Sequence, residues 1–287
     1  MLYVELTIQG IVQGSIYALI ALGLTLVYGL LRILHVAHAA LFTLGGYIGV
    51  IVTNQTGSLT LAIVAAAIIV GLVGMAVYKL AYEPLLSQPP YIALIASIAL
   101  FIASEELYRI IFGPYGLSYT VQPMSGHIEL FDGFRLKYVE ILVISMSVVI
   151  LSVLGYLSLH SRMGIAWRAT VTDPSMAQAF GVNIQNVRYL NFFIGSALAA
   201  IAGVLVALLN NFVEPTMGSV ASYKALAIIV LGGLGSIRGT LLAAMLLGVI
   251  ESFGTIYLGH LIDRDALAFA FLILVLMVRP QGLLGAK

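Results

Sequence analysis

The sequence predicts an all-α polytopic membrane protein of about eight or nine transmembrane helices, with some segments broken by glycine. Of its 287 residues, 61% are hydrophobic and only 9% are charged, against about 25% charged residues in an ordinary soluble domain. Mean hydropathy is +1.10. The apolar residues gather in several runs of nearly membrane-spanning length, where about 20 residues are needed to cross the hydrocarbon. Net charge is +1, so nothing argues for nucleic acid. The absence of cysteine excludes disulfides and thiolate metal sites. A single transmembrane domain over residues 1–287 is expected.

The apolar segments fall near 6–31, 36–53, 59–82, 91–112, 138–159, 189–211, 223–235, 239–258 and 266–279. The first has no basic residue before Arg32 and is too long for a signal peptide, so it reads as a retained span. Nine crossings put the termini on opposite sides. Arg32, Lys79, Arg162, Arg168, Arg188, Arg238, Arg279 and Lys287 then share one side, against Arg109, Arg135, Lys137, Lys224 and Arg264 on the other. The richer side is expected to be cytoplasmic, with the N-terminus outside and the C-terminus inside. Glu129, Asp132, Glu140, Glu214, Asp263 and Asp265 all fall on the outer side.

The second segment is short and holds His35, His38, Thr43, Gly45, Gly46 and Gly49. The seventh, KALAIIVLGGLGSIRG, breaks at Gly232-Gly233 and again at Gly235-Ser236. Broken segments point to a solute path, because irregular backbone at membrane depth must be buried or line water. Close helix packing is the competing reading, and Gly195, Ser196, Ala199, Ala200 and Gly203 of the sixth segment suit it better. Between segments, YEPLLSQPP reads as a rigid turn. The external loop 113–137 contains HIELF, an alternating stretch suited to a hairpin. Asn210 and Asn211 fall at an outer helix end.

The longest polar run among the later segments, within the loop 160–188, is Arg162 to Arg188. Inside it Asp173 suits an N-cap, Pro174 the first helical position, and Gly181 a left-handed stop. Met176, Ala177 and Phe180 are expected on one side of this short helix. Two readings stand: a helix offered to a partner, or a loop packed on its own membrane domain.

Few groups suit chemistry. Glu251 is the one carboxylate well inside a predicted span, hence a functional candidate or a group paired with a nearby hydroxyl or the backbone for packing. His35 and His38 lack an evident third ligand, so packing or pore lining is favoured over metal. Glu105 and Glu106 with Arg109 one turn on fit an interfacial ion pair. No lysine follows a glycine, so there is no Walker A sequence.

Four stretches carry a family resemblance: GLTLVYGLLRILHVAHAALFTLGGYIG (23–49), RMGIAWRATVTDPSMAQAFGVN (162–183), KALAIIVLGGLGSIRG (224–239) and RPQGLLG (279–285). With them the chain resembles the LivH-type permease subunits of bacterial ABC importers for branched-chain amino acids, over nearly its whole length. The resemblance implies the ABC importer permease fold in the inner (cytoplasmic) membrane. It implies a coupling helix at Asp173, Pro174, Met176, Ala177, Phe180 and Gly181 that docks on an ATPase subunit. A candidate path runs past His38, Thr43, Gly45, Gly46, Gly232, Gly233, Ser236 and Glu251. The implied assembly has a second, LivM-like permease, two ATPase subunits that bind ATP and Mg, and an external binding protein. This chain itself would bind no cofactor and catalyse no reaction. The chain departs from the family pattern at His35, Val36, Ala39 and Arg238, which leaves open a leucine-like solute, another amino acid, urea or a short amide. A gradient-driven secondary transporter or channel is the alternative; it would need a buried charge constellation, of which Glu251 is the only evident member.

Overall fold

Each apolar segment becomes a helix in the computed structural model, which describes residues 2–131, 134–261 and 263–284. Asp132, Lys287 and the last residue of the RPQGLLG stretch, used above for orientation and resemblance, lie outside the described residues. In order the helices are α1 (Leu2–Leu31), α2 (His38–Thr56), α3 (Leu59–Val77), α4 (Pro90–Phe112), α5 (Tyr138–His160), α6 (Arg162–Thr172), α7 (Pro174–Ala179), α8 (Ile184–Asn210), α9 (Met217–Gly232), α10 (Ile237–Leu258) and α11 (Arg264–Val278). A π turn, Tyr78–Tyr82, and a 3-10 turn, Glu83–Leu85, extend α3. Among the described residues six meet both length and hydropathy for a crossing: α1, α3 with its extension, α4, α5, α8 and α10. By that measure the expected eight or nine is not confirmed. The physical reason lies in α2, α9 and α11. The α2 helix carries His38, Asn54 and Gln55. Pro215 and the glycine pair leave α9 16 residues, and α11 has 15.

The centre of the bundle is α1, 30 residues or about 45 Å long at 1.5 Å per residue. Its best apolar window is 83% buried, against 11% for α5. Neighbours reach α1 because small residues remove the side chain that would hold them away. A Cβ on Gly10 would lie 2.7 Å from the Cα of Val249, and one on Gly23 2.6 Å from the carbonyl oxygen of Gly195. These contacts run α10 and α8 antiparallel to α1. The α2 helix runs parallel to α8, with Gly45 on Ala200 and Gly49 on Val204. The sequence-based division of labour, with small residues of the sixth segment as the packing set, is thus shared by both helices. On the periphery α4, α5 and α11 expose apolar side chains such as Ile102, Val149 and Leu274, the composition of a surface that faces hydrocarbon.

Four short strands lie outside the helices. The expected hairpin forms from β2 (His127–Phe131) and β3 (Phe134–Lys137), with Glu129 opposite Arg135 and a 2.9 Å ion pair between them. Upstream, β1 (Leu117–Ser118) pairs antiparallel with β4 (Phe212–Val213). The side chain of Asn54 at the end of α2 clasps this region, donating to the Ser118 carbonyl at 3.0 Å and accepting from the Thr120 amide at 3.0 Å. Asn211 caps α8 in the left-handed region, where asparagine is tolerated.

The α2–α8 crossing yields a test. A Cβ on Gly203 would fall 2.0 Å from the Phe42 carbonyl oxygen, whereas one on Gly155 meets nothing within 4 Å. Gly203→Val should therefore cost about 1–3 kcal/mol or more by overpacking. Size-exclusion yield of detergent-solubilised protein should fall for Gly203→Val and hold for Gly155→Ala; equal yields would refute the crossing.

Candidate functional site

The polar loop between α5 and α8 is built by successive caps. Ser161 Oγ accepts the Gly164 amide at 2.9 Å and starts α6. The Arg168 guanidinium donates to the Ser158 carbonyl and ties α6 back onto the end of α5. Asp173 ends α6 and begins α7: its Oδ1 accepts the Met176 amide at 3.0 Å and the Ser175 hydroxyl at 2.7 Å. Those donors favour the charged form and hold the carboxyl below its ordinary value. Pro174 occupies the first turn. The Val182 amide returns to the Ala177 carbonyl at 3.0 Å, and Gly181 stands at φ 84°, the 6→1 closure of a left-handed stop.

The α7 helix is thus six residues, with Asp173 as cap and Phe180 and Gly181 as its stop. Met176 is 56% and Phe180 83% exposed, but Ala177 is 4% exposed. The expected one-sided trio therefore splits. Adjacent helical residues lie about 100° apart and do not share a face, so Ala177 turns toward its own domain while Met176 and Phe180 point out.

At the other candidate region, residues 32–37 leave helix, with Ile33, His35 and Ala37 buried. His38 then starts α2, and its Nε2 donates to the Ile20 carbonyl at 3.2 Å. His35 Nδ1 shares a 2.6 Å hydrogen bond with the Tyr82 hydroxyl. His35 Nε2 and His38 Nδ1 are buried without partners. A small cavity bounded by Ile20, His35, His38, Ser222 and Ala225 brings α2 against α9. Among the described residues no cluster of three metal-ligating side chains occurs.

The other named positions are packed or turning. Thr43 bonds its own helix at the Ala39 carbonyl, 3.2 Å away. A Cβ on Gly45 would lie 2.4 Å from the Ala200 Cα, and one on Gly46 2.9 Å from the Met217 Cε. Gly232 abuts Gly239, Gly233 turns at φ 100°, and Ser236 caps α10 by accepting the Gly239 amide at 3.2 Å.

Glu251 is fully buried and has more company than a hydroxyl. It accepts from the Tyr17 hydroxyl at 2.6 Å, pairs with Lys224 at 3.0 Å and with Arg264 at 2.8 Å. Lys224 also reaches Asp265 at 3.0 Å, and Tyr223 donates to Asp265. Two expectations are corrected here. Lys224, counted above among the basic residues of the outer side, lies on the eighth residue of α9 and is buried. Glu251 also has charged company: buried Lys224 and the partly exposed Arg264 and Asp265 join it in one cluster of four charges. Beginning the seventh segment at 223 hid this, because a helix begun at Met217 carries Lys224 two turns inside. At the end of α4, Arg109 pairs with Glu105 at 3.0 Å and Glu106 at 2.9 Å, as the spacing predicts.

A family model described as the permease component of branched-chain amino acid transport systems matches residues 6–278. The chain is similar to the high-affinity branched-chain amino acid transport system permease protein BraD of Pseudomonas aeruginosa, 33% identical, covering 99% of this chain and 96% of that one. Identity and coverage are the same for LivH, the permease protein of the corresponding system in Escherichia coli K12. LivM of that organism is 28% identical over 94% of this chain and 68% of its own. No solved structure matches the chain significantly.

The charge cluster predicts a pattern of stabilities. Lys224→Met or Glu251→Met alone strands a buried charge and should cost about 3–5 kcal/mol, whereas removing both leaves Arg264 and Asp265 as a balanced pair and should recover most of the loss. Thermal unfolding in detergent checks this. Additive losses would exclude direct pairing.

Proposed function

The chain belongs to the branched-chain amino acid permease family, and on that premise we propose that it is the membrane-spanning permease subunit of an ATP-driven ABC importer carrying branched-chain amino acids, or a similar small polar solute, into the cell. The observation that carries the reading is α7. A capped, six-residue helix presenting Phe180 and Met176 has the form of an apolar knob for a partner, since large rigid side chains dominate interfaces. The partners are a LivM-like second permease, two ATPase subunits holding ATP and Mg, and an external binding protein. Similarity to both LivH and LivM supports the permease pair.

In this reading α7 lies in the cytoplasm, the hairpin of β2 and β3 outside, and the chain crosses nine times from an external N-terminus in the inner membrane. ATP binding moves α7. The movement enters the bundle through α6, whose Trp167 and Val171 lie against Gly29 near the end of α1. The glycine-rich breaks of α2 and α9, with His38, Thr43 and Ser236, are the region where the solute path opens. A two-state change of this kind requires contacts that differ between the states.

A gradient-driven carrier is the second reading, favoured by the Lys224, Glu251, Arg264 and Asp265 cluster, because intramembrane charges often couple to ions. The set is internally neutral and paired, which suits a fixed structural cluster as well. Uptake into vesicles that follows ATP rather than an ion gradient separates the two.

Two outcomes test the proposal. Phe180→Asp places a charge in what would be a dry apolar pocket. It should leave the permease inserted but abolish ATPase co-purification or ATP-dependent uptake, with Asp173→Ala impaired in the same direction and less severely. Normal ATPase retention with normal uptake would sink the docking role. Because the chain has no cysteine, Ser175→Cys should label only from the cytoplasmic side and Ser125→Cys only from outside. Labelling of both from one side would reverse the orientation.

A further inference from the structure

A cleft of about 500 Å³ opens between α6 and the turn that joins α9 to α10. Its walls divide into two chemistries. Arg168 and Arg238 supply guanidinium groups and Thr172 and Ser236 hydroxyls, while Trp167, Val171, Ile237 and Leu284 supply apolar surface. Its lining contains no aspartate or glutamate. The Trp167 Nε1 is buried with no hydrogen-bond partner. Arg168 is partly engaged by the Ser158 carbonyl, whereas Arg238 has no ion-pair partner among the described residues. Arg238 is also the second residue of α10, where the helix dipole adds to the attraction for an anion.

A site with two guanidinium groups, no carboxylate and an apolar floor selects an anion with an apolar body. A guanidinium binds a planar carboxylate through two parallel hydrogen bonds, and the volume lies within the usual range for small-molecule sites. We propose that this cleft binds a small aliphatic carboxylate without an ammonium group, and that its occupancy acts as a brake on the transporter. The second clause rests on the function proposed above. The occupant touches α6, one residue from the cap of α7, and also the Gly235–Arg238 turn. Occupancy therefore clamps the coupling element to the glycine break and holds one of the two states.

The test uses the assembled transporter in phosphatidylcholine nanodiscs. The chain's one tryptophan is Trp167, so the fluorescence difference between the wild type and Trp167→Phe reports the cleft alone. 4-Methylpentanoate should shift that signal saturably and slow ATP hydrolysis, while 3-methylbutylamine, which lacks the carboxylate, should do neither. Arg238→Gln should weaken the 4-methylpentanoate response roughly tenfold or more. The proposal is overturned by an unsaturable signal, by an equal response to the amine, or by an unchanged affinity in Arg238→Gln. It is overturned equally if phosphatidylglycerol nanodiscs produce the shift and abolish the response to carboxylate, which assigns the cleft to lipid. Loss of the ATPase subunits from Arg238→Gln overturns it in favour of a protein contact. Carboxylate binding without branched-chain uptake in parallel proteoliposomes would refute the importer's substrate and leave the cleft standing.

Discussion

Close approach of helix backbones at glycine and alanine is the constraint on which the structure depends. In hydrocarbon, burying apolar side chains gives helices no preference for one another over lipid. Contact area at short range has to supply it. The approaches of Gly23 to Gly195, Gly45 to Ala200 and Gly203 to Phe42 do this along the length of α8. They place α1 at the centre, flanked by α2, α8 and α10, and they fix the depth at which α2 begins. His38 meets the Ile20 carbonyl, 11 residues before the end of α1 and so about 16 Å from it. The non-helical link before α2 is consequently a partly buried one, tolerated because neighbouring helices enclose it.

The polar groups within this bundle obey a different accounting. Glu251 and Lys224 are nearly inaccessible, and each is held by more than one partner. An isolated charge at that depth would be prohibitive, and the cluster gathers two cations and two acids from α9, α10 and α11 into a neutral set. It also serves assembly, since α11 buries only Leu267 and Ala268 and otherwise presents apolar side chains outward. The imidazoles of His35 and His38 stand apart from this pattern, each with one nitrogen unpartnered beside the contact of α2 with α9.

At the α7 end, short-range rules dominate. Ser161, Asp173 and Ser236 each cap a helix through a side-chain oxygen, so the shape of the loop follows from residues close in sequence. What is long-range there is the adjacency of α6 to the α9–α10 turn, which creates the cleft and brings Trp167 against Gly29. Through this adjacency α6, which ends at the cap of α7, lies beside both the end of α1 and the glycine break.

By itself the sequence determined the class of the protein, the nine apolar segments, the hairpin at HIELF, the ion pair at Arg109, and the cap, proline and glycine of α7. It also carried the family resemblance. These depend on composition, on spacing of a few residues, and on local backbone chemistry, all of which operate before helices meet. Tertiary structure decided that Ala177 faces inward while Phe180 does not, and that Lys224 lies two turns inside α9 against Glu251. It also decided that Gly45 and Gly46 are packing residues in this conformation. Each of these depends on which helix lies beside which and at what height. That is settled by backbone contacts between residues far apart in sequence, such as Gly45 and Ala200, and no local pattern encodes a partner some 150 residues away.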